Sequence, residues 1–233
     1  MSDNLAGRTI LVTGASSGIG RQLCRSYADE GASVIGTARR MAELAETAAD
    51  RPTIATISAD LATHKGRSAV VSGLSQPLDV VVHAAGALGP KVPLAEYPED
   101  AWADVLHVNL TAVQRLHQAL LPWLSPVATI IAVSSSVGRQ GRTPWGMYAI
   151  SKAALENWTE ILAQEWEGNV YSVNPGGTAT PMRAEAQPEE DPSTIPSTAD
   201  IMPVFLYLAR ADCDASTGSK LSARDWLDKD PFA

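Results

Sequence analysis

Tyr148 and Lys152 stand four positions apart in Tyr148-Ala149-Ile150-Ser151-Lys152. On a helix this spacing puts both side chains on one face, about one turn apart. A phenol beside a fixed cation ionises more readily, because the cation stabilises phenolate. Such a pair can give a proton to an oxygen or take one from it. The pair is weak evidence alone: the chain has five tyrosines, and a core tyrosine near a surface lysine is the plain structural alternative.

The elements around the pair say what could position it. Ala153, Ala154, Leu155, Ile161, Leu162 and Ala163 favour a helix over Met147 to Trp166, entered through a turn at Thr143-Pro144-Trp145-Gly146. Short apolar, β-branched runs predict strands at Arg8 to Thr13, Ala32 to Ala38, Pro52 to Ser58, Leu78 to Ala84, Val127 to Ser134 and Val170 to Asn174. Helices are expected between them at Ile19 to Asp29, Met41 to Ala49, His64 to Leu74 and Pro98 to Leu124. Another is expected at Ala199 to Ala209, and Gly218 to Ser222 suggests an edge strand. This alternation implies crossover units and one parallel sheet with helices on both faces. Thr178 to Thr198 breaks the rhythm with Pro181, Pro188, Pro192 and Pro196 and the acidic run Glu189 to Asp191. A stretch of this kind is a substrate-side loop or lid, or a plain surface loop.

Composition narrows the class. With 233 residues, 45% hydrophobic and 19% charged, the chain can build a sizeable core. A net charge of −8 argues against non-specific binding to nucleic acid or anionic membrane. Cys24 and Cys213 make no disulfide framework, and the four histidines show no ligand-type pairing, so no metal is expected. Met1-Ser2-Asp3-Asn4 lacks a basic leader, and the apolar stretch Ala119 to Val133 is broken by Pro122 and Pro126. A cytoplasmic location follows as the expectation.

The loop Thr13-Gly14-Ala15-Ser16-Ser17-Gly18-Ile19-Gly20 lies between the first strand and the first helix. Gly14, Gly18 and Gly20 permit a tight turn and close approach of a ligand to backbone. The helix behind them offers free N–H groups and a positive dipole end, which suit a pyrophosphate. A purely structural turn is the alternative.

This loop together with Tyr148-x-x-x-Lys152 resembles the short-chain dehydrogenase/reductase family. Further landmarks stand in order along the chain. Asp60-Leu61 matches the pair that contacts adenine, and Ala84-Ala85-Gly86 matches most of the element beside the cofactor. Asn109 matches the asparagine of the catalytic site. Ser135, 13 positions before Tyr148, matches its serine. Pro175 and Gly176, with Thr178 and Thr180, match the loop at the nicotinamide end. The resemblance runs from about Gly7 to Leu221 and implies one doubly wound Rossmann-type α/β domain over residues 1–233, a parallel sheet of about seven strands with helices on both faces. Ser134 to Arg142, Asn174 to Thr178 and Ala199 to Pro203 further resemble the bacterial YciK-type reductases. His83 departs from the family by replacing an Asn. A neutral imidazole still donates one bond and accepts one, so tolerance is expected. The usual Asp-Gly-Gly ending is also missing after Thr217, which leaves subunit contacts there open.

The family resemblance implies a nicotinamide cofactor bound by Gly14, Ser16, Ser17, Gly18, Ile19, Gly20, Asp60, Leu61, Ala85, Gly86, Tyr148, Lys152 and the 175–180 loop. An acid at the end of the second strand would select NAD, but Thr37-Ala38-Arg39-Arg40 stands there. Two guanidinium groups suit a 2′-phosphate, which predicts NADP(H). Two solvated surface arginines are the alternative. The implied reaction is hydride transfer between NADP(H) and a carbonyl or alcohol carbon. In it Tyr148 is general acid/base, Ser135 bonds the carbonyl oxygen, Lys152 binds ribose hydroxyls and lowers the phenol pKa, and Asn109 holds a water. A dinucleotide-binding sensor without chemistry is the competing class. Trp145, Met147 and Met182 are candidates for an apolar substrate wall. The family also implies a homodimer or homotetramer through the two long helices, and Trp158, Leu162 and Trp166 offer either a contact face or core.

Overall fold

The central strands are buried apolar, β-branched runs, whereas the two edge strands are more exposed. In the computed structural model, which describes residues 4–233, the strands are β1 (Thr9–Thr13), β2 (Ser33–Ala38), β3 (Ile54–Ser58), β4 (Leu78–His83), β5 (Leu124–Val133), β6 (Asn169–Asn174) and β7 (Lys220–Ser222). The N-terminal stretch Met1 to Asp3, where no basic leader was read, lies outside the described residues. All seven pair in parallel in the order β3-β2-β1-β4-β5-β6-β7.

The helices are α1 (Gly18–Asp29), α2 (Met41–Ala48), α3 (His64–Ser72), α4 (Glu99–Leu106), α5 (Ala112–Leu120), α6 (Ser136–Arg139), α7 (Gly146–Glu165), α8 (Pro181–Ala186) and α9 (Met202–Leu208). Successive strand residues point to opposite faces. Ile10, Val12, Val80 and Val82 meet Leu23 and Tyr27 of α1 and Phe205 of α9. Leu11, Val81 and Ile130 meet Val70 of α3, Leu116 of α5 and Leu162 of α7. The doubly wound α/β fold expected from alternation is therefore the one found. The chain winds outward from β1 to β3 and then returns to pair β4 with the other side of β1. That reversal opens a crevice beyond the carboxyl ends of β1 and β4, the usual ligand position in such sheets.

Three stretches differ from expectation. Pro98 to Leu124 is mainly helical, as expected, but a π-helical turn, His107–Thr111, separates α4 from α5. Strand β5 begins at Leu124, and its pairing with β4 shifts register between Leu78 and Val80. The irregularity accommodates Pro126, which has no N–H to give a ladder. The proline-rich 178–198 stretch carries α8, capped by Thr180, and a 3₁₀ turn at Pro192–Thr194. Pro181 at the first turn of α8 explains why proline does not prevent that helix.

Candidate functional site

The glycine loop closes over the end of β4. Gly14 has φ +72°, and a Cβ there would stand 2.9 Å from the Ala85 Cα. Thr13 Oγ1 accepts from the backbone N–H groups of Ala84 and Ala85, both at 3.0 Å, and so ties β1 to β4 at the crevice. Gly18, φ +52°, abuts Thr180, whose Cγ2 would be 3.3 Å from a Cβ. Ser17 is the N-cap of α1, yet its side chain bonds none of the helix N–H groups. The first-turn N–H groups, with Ile19 and Gly20 among them, therefore face the crevice with the positive end of the dipole. Ser16 is buried, and its Oγ accepts from Arg40 Nη2 at 3.1 Å.

The two arginines differ. Arg40 also pairs with Glu43 in the first turn of α2 at 3.2 Å. Arg39 is exposed, and among the described residues its guanidinium makes no hydrogen bond or ion pair. Asp60 holds its own turn by accepting from Ala62 N–H at 3.0 Å, and Leu61 gives its carbonyl to Arg67 at 2.7 Å.

Tyr148, Lys152, Ser135, Asn109 and Gly86 converge on the opposite wall. Tyr148 and Lys152 lie one turn apart on α7, 9% and 4% exposed. Lys152 Nζ donates to Val133 O at 2.7 Å and stands 5.7 Å from the centre of the Tyr148 ring. Burial pushes the Tyr148 phenol up from its ordinary range, and the hydrogen bond with Ser135 works the other way. Burial also brings the Lys152 ammonium down to about 8. In the protein alone burial therefore dominates the phenol, while the expected lowering by Lys152 together with an oxidised nicotinamide concerns the cofactor-loaded site. A Cβ on Gly86 would lie 3.4 Å from Asn109 Oδ1 and 3.8 Å from Lys152 Nζ. Asn109 sits in the π turn, fully buried. Its Oδ1 accepts from Ala87 N–H at 2.7 Å, and its Nδ2 donates to Ala87 O and Ser151 Oγ, both at 2.9 Å.

On the outer side, Leu88, Val137, Tyr148, Ala149 and Ala186 form an apolar cluster with Trp145 and Met182. Met147 is 1% exposed and lies outside this cluster, so it is core rather than wall. Lys91 covers the Trp145 ring at 4.7 Å and donates to Ala186 O of α8. Pro175 is buried, its carbonyl accepts from Thr178 Oγ1 at 3.2 Å, and Gly176 N–H bonds Asn174 Oδ1 at 3.0 Å.

His83 needs a correction. Strand alternation turns it away from the crevice, toward α5 and α7, where its ring meets Trp158 edge-on at 5.9 Å. Both ring nitrogens are buried without a partner, so the donor and acceptor capacity expected of it is unused. Leu162 is core, while the Trp158 and Trp166 indoles donate inward to Gln114 and Ala128.

Three side chains with positioning bonds carry no role that the sequence indicated: Thr13, Ser151 and Glu156. Ser151 lies inside the Tyr-x-x-Ser-Lys stretch. Glu156 repeats the four-residue step from Tyr148 and Lys152, a spacing visible in the chain without any indication that the residue is buried.

A family model described as short chain dehydrogenase matches residues 8–191. The uncharacterized oxidoreductase YciK of Escherichia coli K12 is 40% identical, covering 95% of this chain and 94% of that protein. The L-xylulose reductase of Bos taurus is 31% identical over 88% of this chain and 84% of its own length. Among solved structures, a short-chain-dehydrogenase-type chain from E. coli CFT073 complexed with NADPH is 41% identical, with a TM-score of 0.89 over 95% of this chain and 98% of that one. The yciK oxidoreductase of E. coli superposes with a TM-score of 0.87 at 40% identity, over 95% and 97% of the two chains. With its doubly wound sheet, its glycine loop at the β1–β4 crevice and a family match across most of its length, this chain belongs to the short-chain dehydrogenase family.

Proposed function

We propose that the chain transfers a hydride between NADP(H) and a carbonyl or alcohol carbon, with Tyr148 as the proton donor or acceptor. The observation that carries this reading is the convergence of Tyr148, Ser135, Lys152 and Asn109 on the wall facing the glycine cradle. The cradle fits a dinucleotide: the α1 N-terminus has no side-chain cap, and side chains at Gly14 and Gly18 would collide with or crowd their neighbours. In this reading Asp60 and Leu61 contact the adenine, and Pro175, Gly176, Thr178 and Thr180 cradle the nicotinamide end. Relatives crystallised with NADP or NADPH support the choice of cofactor. Arg39 supports it as well, being a free guanidinium for a 2′-phosphate, with Arg40 and Ser16 held beside it by their mutual bond. When bound, NADP(H) supplies or takes the hydride.

Ser135 donates a hydrogen bond to the substrate oxygen as charge grows there. Tyr148 gives that oxygen its proton in reduction and removes it in oxidation. Lys152 has three donors and spends one on Val133 O, leaving two for ribose hydroxyls. Its charge, and that of oxidised nicotinamide, oppose the effect of burial on the phenol. Both amide hydrogens of Asn109 are committed, so a water it holds must bond an oxygen of the residue.

The 178–198 stretch serves as a substrate-side lid of a single nucleotide-binding domain, supported by Met182 and Ala186 of α8 packing in the Tyr148 cluster. Assembly as a homodimer or homotetramer uses the outer surfaces of α5 and α7, where Ile161 of α7 and Leu121, just past the end of α5, are 50% and 47% exposed. A cytoplasmic location fits two free cysteines; no helix of the described residues is long and apolar enough to cross a membrane.

The test is a panel of aldehydes, ketones and secondary alcohols, with NADPH and NADH binding followed by fluorescence. NADPH should bind more tightly. Tyr148→Phe should keep cofactor binding and lower turnover by about 10²-fold or more. Unchanged turnover removes Tyr148 from its role, and binding without turnover on the whole panel makes the chain a sensor.

A further inference from the structure

Glu156 is 3% exposed and stands on α7, one turn beyond Lys152 and two beyond Tyr148. Its Oε1 accepts from Ser134 Oγ at 2.7 Å and from Arg139 Nε at 2.8 Å. Its Oε2 lies 3.5 Å from Lys220 Nζ on β7. Ser134 immediately precedes Ser135, and Arg139 is the last residue of α6, the short helix that Ser135 caps. One carboxylate thus holds the Ser135 segment at both ends.

Backbone and surface contacts also hold the segment, Ser134 N–H to Val173 O at 2.8 Å and Arg142 to Ser136 Oγ at 2.6 Å, but neither fixes the Ser135 side chain. The bond from Val137 N–H to Ser135 Oγ is long, 3.5 Å. A one-turn helix lacks the length to hold itself together. Gly138 lies directly on the α7 backbone, where a Cβ would stand 2.8 Å from the Lys152 carbonyl carbon. The segment is therefore seated on the helix that carries Tyr148 and Lys152, and Arg139 Nη2 also reaches Leu221 O of β7 at 3.0 Å.

We infer that Glu156 is a positioning residue for catalysis: by binding Ser134 and Arg139 it sets the place of Ser135 against Tyr148. Glu156 touches neither substrate nor cofactor and acts through Ser135. The inference rests on the proposed role of Ser135 and Tyr148. Misplacement of a hydrogen-bond donor by a fraction of an ångström weakens the bond it makes to a developing charge, so the loss falls on turnover rather than on cofactor affinity.

The experiment uses the full chain, NADPH and the carbonyl of the panel that the wild type reduces best. Glu156→Met keeps the volume and removes the acceptors. It should lower kcat by about 10-fold or more while the NADPH Kd stays within about 2-fold. Glu156→Gln restores an acceptor and should recover most of the loss. In a Ser135→Ala background, Glu156→Met should cost less than about 2-fold, because the group it positions is gone. A general structural role would cost as much in that background as in the wild type, and that result, or full activity of Glu156→Met, overturns the inference. If Glu156→Met does not fold, Arg139→Met removes the partly exposed end of the same contact, and the same two-background comparison decides. A Ser135→Ala chain with wild-type turnover, or no reduction of any panel carbonyl by the wild type, overturns the proposed function and this inference with it.

Discussion

Helix α7 buries polar groups on two sides. Toward α6 and β5 it places Glu156 among Ser134, Arg139 and Lys220, each contributing a donor. Toward β4 and α5 it places Trp158 against His83 and His117, at ring distances of 5.9 and 5.6 Å. His83 finds no partner there, and burial drives its pKa down to about 3. A buried charge persists where donors converge on it, and a buried group without partners stays neutral. Lys152 lies between these cases. It has a backbone carbonyl as its protein partner, and its pKa falls to about 8. Its charge is kept at a cost in stability, as expected of a group that serves a ligand rather than the fold.

Lys152→Met is the strongest way to break this contrast. Turnover should fall by about 10²-fold or more. The folded pKa of about 8 lies below the ordinary lysine value of 10.5, so between them the unfolded chain binds more protons. Wild-type stability should therefore rise with pH across that window, and the burial penalty of about 3 kcal/mol is present in full below it. Leaving Val133 O unpaired offsets about 1 kcal/mol. Denaturant titration at neutral pH should find Lys152→Met about 2 kcal/mol more stable, with the advantage fading toward the upper end of the window. A less stable variant would place Lys152 with Glu156, as a group the fold relies on. Wild-type turnover should decline as pH rises through about 8, where the ammonium loses its proton.

His83→Leu sharpens the other side. The folded pKa of about 3 lies below the ordinary 6.5, so the unfolded chain takes up a proton first as pH falls. Stability should be lost through that window, amounting to about 2 kcal/mol near a pH of about 5. The leucine variant should show a flatter acid limb in denaturant midpoints measured against pH. An unchanged limb would mean that other groups govern acid unfolding.

Arg39→Ala is the surface control. Its exposed guanidinium has no partner among the described residues, so stability should change by less than about 0.5 kcal/mol. NADPH should bind about 10-fold more weakly, and NADH about as before. Equal losses for both cofactors would assign Arg39 to the loop rather than to a 2′-phosphate.

Much of the scaffold was readable from neighbours in the chain. β-branched runs predicted strands within a few residues, and glycine spacing predicted the turn between β1 and α1. The π turn at His107–Thr111 was not readable, because Val108-Asn109-Leu110 suits an α-helix equally well. What holds Asn109 is Ala87 and Ser151, on elements distant in sequence. The early start of β5 and the helix inside the proline-rich stretch escaped for a similar reason: pairing with β4 and the Thr180 cap outweighed local propensity.

The sequence alone determined the alternation of strands and helices, the glycine loop and the one-turn spacing of Tyr148 and Lys152. These follow from backbone sterics and periodicity, which act over a few residues. Only the tertiary structure decided which way His83 faces, which arginine is left free, that Tyr148 and Lys152 are both buried, and that Glu156 reaches back to the Ser135 segment. Those outcomes depend on desolvation and on partners from other elements. Neither exists until the return from β3 to β4 brings the two halves of the sheet together.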